Sequence, residues 1–359
     1  MKKVFFILPT LGGGGAERVA LHLLNNISTD MFDLTVVVIY KNRGDYLKDL
    51  REEVKRIFLD KVKIRYSIFS LYKILKRENP DFVVNFSFEL MILMGVSIIP
   101  FFKNIYFINR QINILSTQNF SKIEKILLKI AYKNFNKIIT QSKDMTDDLL
   151  KNIDISKEKI MEINNPVNLK EIEKLSKETI NLEITKRNKN LLCVGRLSHQ
   201  KGFDLIIEAI SFLKDKTIKL YILGDGEEKN KLLDLIKKLG LSDQVFLLGR
   251  KSNPYSYMKN ADLFILSSRY EGFPNALLEA GACGLYSICN NCLGGVNEII
   301  EENINGNVIN FNDKKLLISV IEKNLLKEKD RKKITERIKD RYSIEIIVKK
   351  YEKVLKENK

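Results

Sequence analysis

Two periods alternate along this chain. Short β-branched or aromatic runs at 3–8, 34–40, 82–87, 105–109 and 137–141 read as strands, and the stretches 17–25, 67–77 and 121–133 between them carry apolar residues at helical spacing. Such alternation predicts βαβ units and a parallel sheet. The pattern restarts after Asn164-Asn165-Pro166-Val167-Asn168 and a charged, weakly patterned stretch that runs to about Asn190. Its second series is 191–194, 219–223, 244–248, 262–266, 286–289 and 308–310, again separated by helical segments. The chain therefore reads as α/β, with two doubly wound domains in succession: 1–168, a linker region at 169–188, and 189–342. A charged helical region closes the sequence from about Arg331 to Lys359, interrupted near Tyr342-Ser343. It looks too polar for a core element and able to bridge the domains, its last part, about 343–359, packing back on the first. No repeat of solenoid length and no low-complexity tract occurs.

A length of 359 residues suits two domains of ordinary size with a cleft between them. With 45% apolar and 30% charged residues, the composition is that of a soluble globular protein and excludes fibrous or disordered classes. The formal charge of +16 suits an anionic partner such as nucleic acid, an acidic membrane surface or a phosphorylated ligand. Lys is nevertheless scattered over both halves, which fits general solubility equally well. Met1-Lys2-Lys3 leads straight into a short apolar strand and glycines, without a cleavage site, so the mature chain is expected to start at Met1. The longest uncharged run, 90–102, is shorter than the ~20 residues of a spanning helix and reads as a buried one. Cys193, Cys283, Cys289 and Cys292 are expected as thiols in a reducing cytoplasm. Cys289-Asn290-Asn291-Cys292 lacks the further ligands that zinc needs.

Three segments carry chemistry. Gly12-Gly13-Gly14-Gly15-Ala16-Glu17-Arg18 follows the first strand and opens a helix, so Gly14 and Gly15 are expected to bring bare amides close to a phosphate or sugar. Gly195-Arg196-Leu197-Ser198-His199-Gln200-Lys201-Gly202 places two cations on a strand-to-helix loop. Arg196 offers a planar fork and Lys201 a point charge, a pair suited to binding a pyrophosphate and stabilising it as it departs. The third segment runs Ser267-Ser268-Arg269-Tyr270-Glu271-Gly272-Phe273-Pro274-Asn275-Ala276-Leu277-Leu278-Glu279-Ala280. Pro274 suits the first turn of a helix, with Glu271 in the loop before it and Glu279 about two turns in. One carboxylate can take a sugar's hydroxyls and the other those of a ribose.

In their order and approximate spacing these segments, with Ala282-Cys283-Gly284 and Gly294-Gly295…Glu298, resemble glycosyltransferase family 4, and the resemblance covers nearly the whole chain. It implies the GT-B fold, two Rossmann-like doubly wound parallel-sheet domains facing a cleft. It also implies an enzyme that retains anomeric configuration and needs no metal ion or other cofactor. Arg196 and Lys201 would then hold the donor pyrophosphate, Glu271 the transferred sugar and Glu279 the ribose. Gly14, Gly15, Arg250, Gly272, Phe273, Pro274, Asn275, Ala276 and Leu278 complete the expected donor-binding set. The implied donor is a nucleotide diphosphate sugar, with UDP and a hexose or N-acetylhexosamine expected. The implied acceptor is a glycan or lipid-linked molecule of bacterial surface-polysaccharide synthesis.

One departure bears on mechanism. Many relatives place a histidine near the reacting sugar, whereas this sequence has only His22 and His199, and the corresponding strand end is Asn109-Arg110-Gln111. Arg110 is the acceptor-side candidate, but a guanidinium cannot act as a conventional base. That favours a route in which the leaving diphosphate takes the acceptor's proton. A second enzymatic reading, a nucleotide-sugar epimerase or phosphorylase of the same architecture, is opposed by the motif order. A basic nucleic-acid-binding protein is opposed by the lack of any recognised module, so no nucleic-acid partner is expected.

Ser121 and Glu124 form a capping-box pattern, followed by Lys122, Lys125, Lys129 and Lys133 beside Ile123, Ile126, Leu127 and Ile130. Such a helix can lie on an anionic membrane or pack its apolar stripe against its own domain, and periodicity alone does not choose. The expected location is cytoplasmic, with peripheral attachment to the inner face of the cell membrane on the first alternative.

Overall fold

In the computed structural model, which describes residues 1–41, 44–178, 184 and 187–357, the chain forms two units. One is Met1–Pro166 with Ile344–Lys359 and the other is Val167–Ser343. The first unit contains β1 (Lys2–Leu8), β2 (Phe32–Tyr40), β3 (Lys55–Lys61), β4 (Phe82–Asn85), β5 (Tyr106–Arg110), β6 (Lys137–Thr140) and β7 (Ile160–Glu162). Their order is β3-β2-β1-β4-β5-β6-β7, every pair parallel. The second contains β8 (Lys189–Val194), β9 (Ile218–Leu223), β10 (Val245–Gly249), β11 (Leu263–Leu266), β12 (Ser287–Asn290) and β13 (Gly306–Ile309). These run β10-β9-β8-β11-β12-β13, again all parallel.

Helices cover both faces of each sheet, so the central strands are continuously apolar rather than alternating. In β1, Val4, Phe6 and Leu8 enter the core shared with helix Gly15–Asn26, while Phe5 and Ile7 enter the core shared with Phe88–Ser97 and Lys122–Asn134. The uncharged run 90–102 becomes helix Phe88–Ser97 and a 3₁₀ turn over Ile99–Phe101, with Leu90, Met91 and Met94 fully buried. Among the described residues no helix is long and apolar enough to cross a membrane.

Two readings of the sequence are corrected. The stretch 169–188 is not a plain linker: Leu169–Ser176 is a helix capped by Asn168, and Ile172 and Ile184 enter the core of the second unit. Residues 179–183, 185 and 186 of that stretch lie outside the described residues. The charged end is also not too polar for a core. Helix Ile344–Glu357 buries Ile344, Ile347, Val348, Tyr351, Val354 and Leu355 against the first unit and turns its charges outward, an amphipathic stripe that net composition conceals. The preceding helix, Arg331–Tyr342, belongs to the second unit.

Candidate functional site

Strand order in the second sheet reverses between β8 and β11, and ligands of doubly wound folds bind beyond the carboxyl ends of strands at such a switch point. Both loops that leave this point carry the predicted residues. After β8 the chain passes Arg196, makes a 3₁₀ turn over His199–Lys201, and enters helix Phe203–Ile210 through Gly202 at φ +59°. A Cβ on Gly202 would stand 2.3 Å from the Ser267 carbonyl oxygen, so the close approach of the two loops needs glycine there. After β11 the chain runs through Ser267–Phe273 to helix Asn275–Ala282, with Pro274 as its N-cap rather than its first helical residue. Cross-loop bonds hold the two together: Arg269 N–H to the Gln200 carbonyl at 2.8 Å, Gln200 Nε2 to the Tyr270 carbonyl at 3.0 Å, and Ser267 Oγ to the Lys201 carbonyl at 2.8 Å.

Lys201 and Glu271 meet at the centre. Lys201 Nζ lies 2.6 Å from Glu271 Oε1, and the Ser268 hydroxyl donates to the same oxygen at 2.6 Å. The two charged side chains are 20% and 7% exposed, so the pair is largely dehydrated. With Oε1 receiving both donors, the carboxylate is fixed in orientation and Oε2 is left to accept from a ligand. Behind it, the Glu271 N–H donates to the Leu293 carbonyl at 2.9 Å, and Gly294 at φ +118° passes so close that a Cβ would fall 2.0 Å from the Glu271 carbonyl oxygen. The Gly-Gly that follows β12 is thus the floor of the Glu271 loop.

The other predicted donor residues divide. Phe273 and Leu278 are buried in the core of the second unit, and Ala276 packs against it, so these three support the loop from within. Gly272 accepts from the Gly295 N–H at 3.2 Å. Asn275 begins the helix, whose start no side chain caps, and Glu279 comes in its second turn, not two full turns in. Arg196 pairs with Glu227 at 3.1 Å, both well exposed, a contact weak enough to be exchanged for a ligand. Arg250 follows β10 at the same carboxyl edge and is exposed. Sequence reading missed Ser268, although it stands three residues before Glu271, and missed Asn290, whose Nδ2 holds the Ser268 carbonyl at 3.0 Å. It also missed the fork of Arg269 onto Asp204.

In the first unit two expectations change. Gly14 caps helix Gly15–Asn26, but the place expected for an anion is taken by the chain's own Glu17: a Cβ on Gly14 would lie 2.3 Å from Glu17 Oε2. Burial holds that carboxyl above its ordinary range, against the opposing bond from its own N–H. A ligand at Gly14 and Gly15 would share this space with the Glu17 carboxyl. Arg110 is 2% exposed, gives Nη2 to Asn165 Oδ1 at 2.5 Å, lies over the Phe86 ring and has the Tyr351 phenol beside it. Its Nε has no partner among the described residues, and burial lowers its pKa. A guanidinium so enclosed offers no open face to an acceptor and instead joins the sheet to the C-terminal helix. His22 is driven down to about 4 by burial and then by Arg18, and so is neutral near pH 7.

The basic helix Lys122–Asn134 has the capping box in place, with Ser121 N–H to Glu124 Oε2 at 2.8 Å and Glu124 N–H to Ser121 Oγ at 3.3 Å. It buries Leu128, Ala131 and Tyr132, whereas Ile123, Ile126 and Ile130 are 71%, 59% and 42% exposed. The isoleucine stripe therefore does not pack against the unit. It stands in solvent among Lys122, Lys125, Lys129 and Lys133, all exposed.

Two Rossmann-like parallel-sheet units, the second with a cation–carboxylate pair at its switch point, are the architecture of the GT-B fold. A model described as Glycosyltransferase Family 4 matches residues 13–171, and one described as Glycosyl transferases group 1 matches 176–341. The chain belongs to glycosyltransferase family 4 and is a glycosyltransferase. It is 34% identical over 221 residues to the N-acetylgalactosamine-N,N'-diacetylbacillosaminyl-diphospho-undecaprenol 4-alpha-N-acetylgalactosaminyltransferase of Campylobacter jejuni, a match covering 62% of this chain and only 59% of that protein. It is 26% identical to the Escherichia coli UDP-Gal:alpha-D-GlcNAc-diphosphoundecaprenol alpha-1,3-galactosyltransferase, covering 86% of this chain and 83% of that one. Among solved structures, Anabaena HepE in complex with UDP-glucose superposes with a TM-score of 0.81 over 99% of both chains at 18% identity, a likeness of fold.

Proposed function

We propose that the protein is a retaining, metal-independent glycosyltransferase that moves a hexose or N-acetylhexosamine from a UDP-sugar to a glycan or lipid-linked acceptor in bacterial surface-glycan synthesis. The observation that carries the donor half is Glu271, held on one oxygen by Lys201 and Ser268 and open on the other. Oε2 accepts from a hydroxyl of the transferred sugar. Lys201, joined by Arg196 on exchange from Glu227, faces the diphosphate and stabilises its charge as the glycosidic bond breaks. Glu279 accepts from the ribose hydroxyls. His22 is held a poor base by burial and by Arg18, and Arg110 is a buried guanidinium, so in this reading the leaving diphosphate oxygen takes the acceptor's proton.

A lipid-linked acceptor is supported by the names of the Campylobacter jejuni and Escherichia coli relatives, and UDP by the latter and by the HepE complex. Attachment to the inner membrane face is supported by the exposed isoleucines among four lysines, an arrangement suited to the headgroup boundary of an anionic bilayer. The test is a donor screen: purified protein is incubated with a panel of UDP-, GDP- and ADP-sugars and nucleoside diphosphate release is measured with and without acceptor. Release of UDP from one hexose or N-acetylhexosamine donor, accelerated by an undecaprenyl-diphosphate sugar, is expected. Turnover of GDP- or ADP-sugars alone would refute the donor assignment, and interconversion of donors without release would favour an epimerase.

A further inference from the structure

We infer that Arg269 and Asp204 are positioning residues, a clamp that holds the two donor loops in register; this rests on the reading of Lys201 and Glu271 as donor contacts. Arg269 donates from Nη1 to Asp204 Oδ1 at 2.8 Å and from Nη2 to Asp204 Oδ2 at 2.5 Å, and Nη1 also reaches the His199 carbonyl at 2.8 Å. His199 and Asp204 stand on either side of Lys201 in the sequence, so one guanidinium brackets the segment that carries the lysine. Arg269 itself lies two residues before Glu271. The loops are thus crossed by two ion pairs of opposite sense. Lys201 of the first loop meets Glu271 of the second at 2.6 Å, and Arg269 of the second meets Asp204, at the start of the helix after the first, at 2.5 Å.

The geometry separates this fork from ordinary surface pairs. The Arg269 and Asp204 side chains are 25% and 32% exposed, against 73% and 57% for the single-point contact of Arg196 with Glu227. A two-point fork fixes direction as well as distance, which a flexible lysine does not. Loss of the fork leaves the Lys201 segment tied to the second loop only by neutral bonds and by Glu271 itself. Displacement of a catalytic group by about 1 Å is enough to cost on the order of a hundredfold in rate.

The experiment compares Arg269→Ala, Arg269→Lys, Asp204→Asn and the reversed pair Arg269→Asp with Asp204→Arg, alongside Lys201→Ala and Glu271→Gln. Each is assayed for UDP release from a panel of UDP-hexoses and UDP-N-acetylhexosamines and for its thermal midpoint. The three single clamp variants are expected to lose roughly thirtyfold or more in kcat while KM for the donor moves less than about fivefold, the signature of lost positioning rather than lost binding. The reversed pair is expected to recover about tenfold over the worse single change, because it restores a cross-loop fork of the opposite sense. A purely structural pair would lower the midpoint without this split between kcat and KM. The inference is overturned if Arg269→Ala and Asp204→Asn keep kcat within about threefold of the parent, if the loss lies only in KM, or if the folded reversed pair recovers nothing. Should the single variants fail to fold, the folded reversed pair decides alone, by its kcat relative to Lys201→Ala. Parent-like turnover in Lys201→Ala and Glu271→Gln would instead refute the site itself, and the clamp with it.

Discussion

Replacing Glu271 with Gln separates what the carboxylate does for the fold from what it does for the reaction. The parent side chain takes Lys201 Nζ and the Ser268 hydroxyl on one oxygen, both at 2.6 Å, in a setting only 7% exposed. Gln keeps the shape and one accepting oxygen but removes the charge opposite Lys201. Breaking a fully buried pair costs about 3–5 kcal/mol. Lys201 retains one-fifth of its exposure and can recover part of its hydration, so a loss of roughly 1–3 kcal/mol is expected, inside the 5–15 kcal/mol of a normal fold. For a unit of this size that lowers the thermal midpoint by about 2–4 °C per kcal/mol. Turnover should fall at least about a hundredfold, equivalent to roughly 2.7 kcal/mol of transition-state stabilisation, because with the amide oxygen still taken by Lys201 and Ser268 the sugar meets an uncharged NH2 donor in place of an accepting carboxylate oxygen. UDP release and the melting midpoint are measured on the same preparation. Turnover within about threefold of the parent, with the midpoint lowered as expected, would make Glu271 a structural residue and refute the reasoning.

The nucleotide end behaves differently. Glu279→Ala is expected to weaken UDP binding by about 1–3 kcal/mol with a smaller change in kcat, measured by calorimetry and steady-state rates; intact affinity with collapsed turnover would contradict the ribose role. Activity is expected to persist in excess EDTA, since Lys201 and Arg196 supply the positive charge that the leaving diphosphate needs. Abolition by EDTA and rescue by a divalent ion would show otherwise. Wild-type protein is expected to sediment with anionic vesicles at low salt. Changing Lys122, Lys125, Lys129 and Lys133 to Gln should remove up to roughly 4 kcal/mol of that attraction, at about 1 kcal/mol each, without slowing donor hydrolysis. Failure of the wild type to bind such vesicles would turn the search to a soluble acceptor.

Most strands that sequence located, such as β1, β4, β8 and β11, are central and buried on both faces, where a strand writes itself as a nearly uninterrupted apolar run. β10 and β13, at the edges of the second sheet, were legible because Val245-Phe246-Leu247-Leu248 and Val308-Ile309 are apolar too. β3, with the sequence Lys55-Arg56-Ile57-Phe58-Leu59-Asp60-Lys61, is an edge strand with charges along an exposed side, and β7 is three residues long. Neither gives a periodic signal distinct from a loop. The terminal helix, read as packing back on the first unit, does pack there, and only its polarity misled. Its buried positions Ile344, Ile347, Val348, Tyr351, Val354 and Leu355 are diluted by lysines and glutamates on its outer face, so composition alone gave the wrong answer where spacing held the right one.

At the site, legibility depended on whether a residue acts through its own chemistry or through a partner distant in the sequence. Glu271 and Lys201 were visible because each sits in a short segment whose glycines and proline announce a turn at a strand end. Asp204 and Arg269 were not, since a carboxylate in the first turn of a helix and an arginine in a loop are unremarkable until the fold sets them 2.5 Å apart across 65 positions of chain. Gly14 and Gly15 were legible as a bare helix start, but nothing in the sequence signalled that the Glu17 carboxyl of the same helix would stand beside them. The isoleucines of Lys122–Asn134 close the case: helical spacing marked them apolar, yet whether such a stripe faces inward depends on which neighbour the sheet order supplies. Here Gly95 meets Ala131 so closely that an added Cβ would come within 2.5 Å of its Cα, which seats the helix on its Leu128, Ala131 and Tyr132 side and leaves Ile123, Ile126 and Ile130 outward. The stripe is left outward by a tight helix crossing rather than by loose packing, and with its lysine border it is the observation on which the proposed attachment to an anionic bilayer stands or falls.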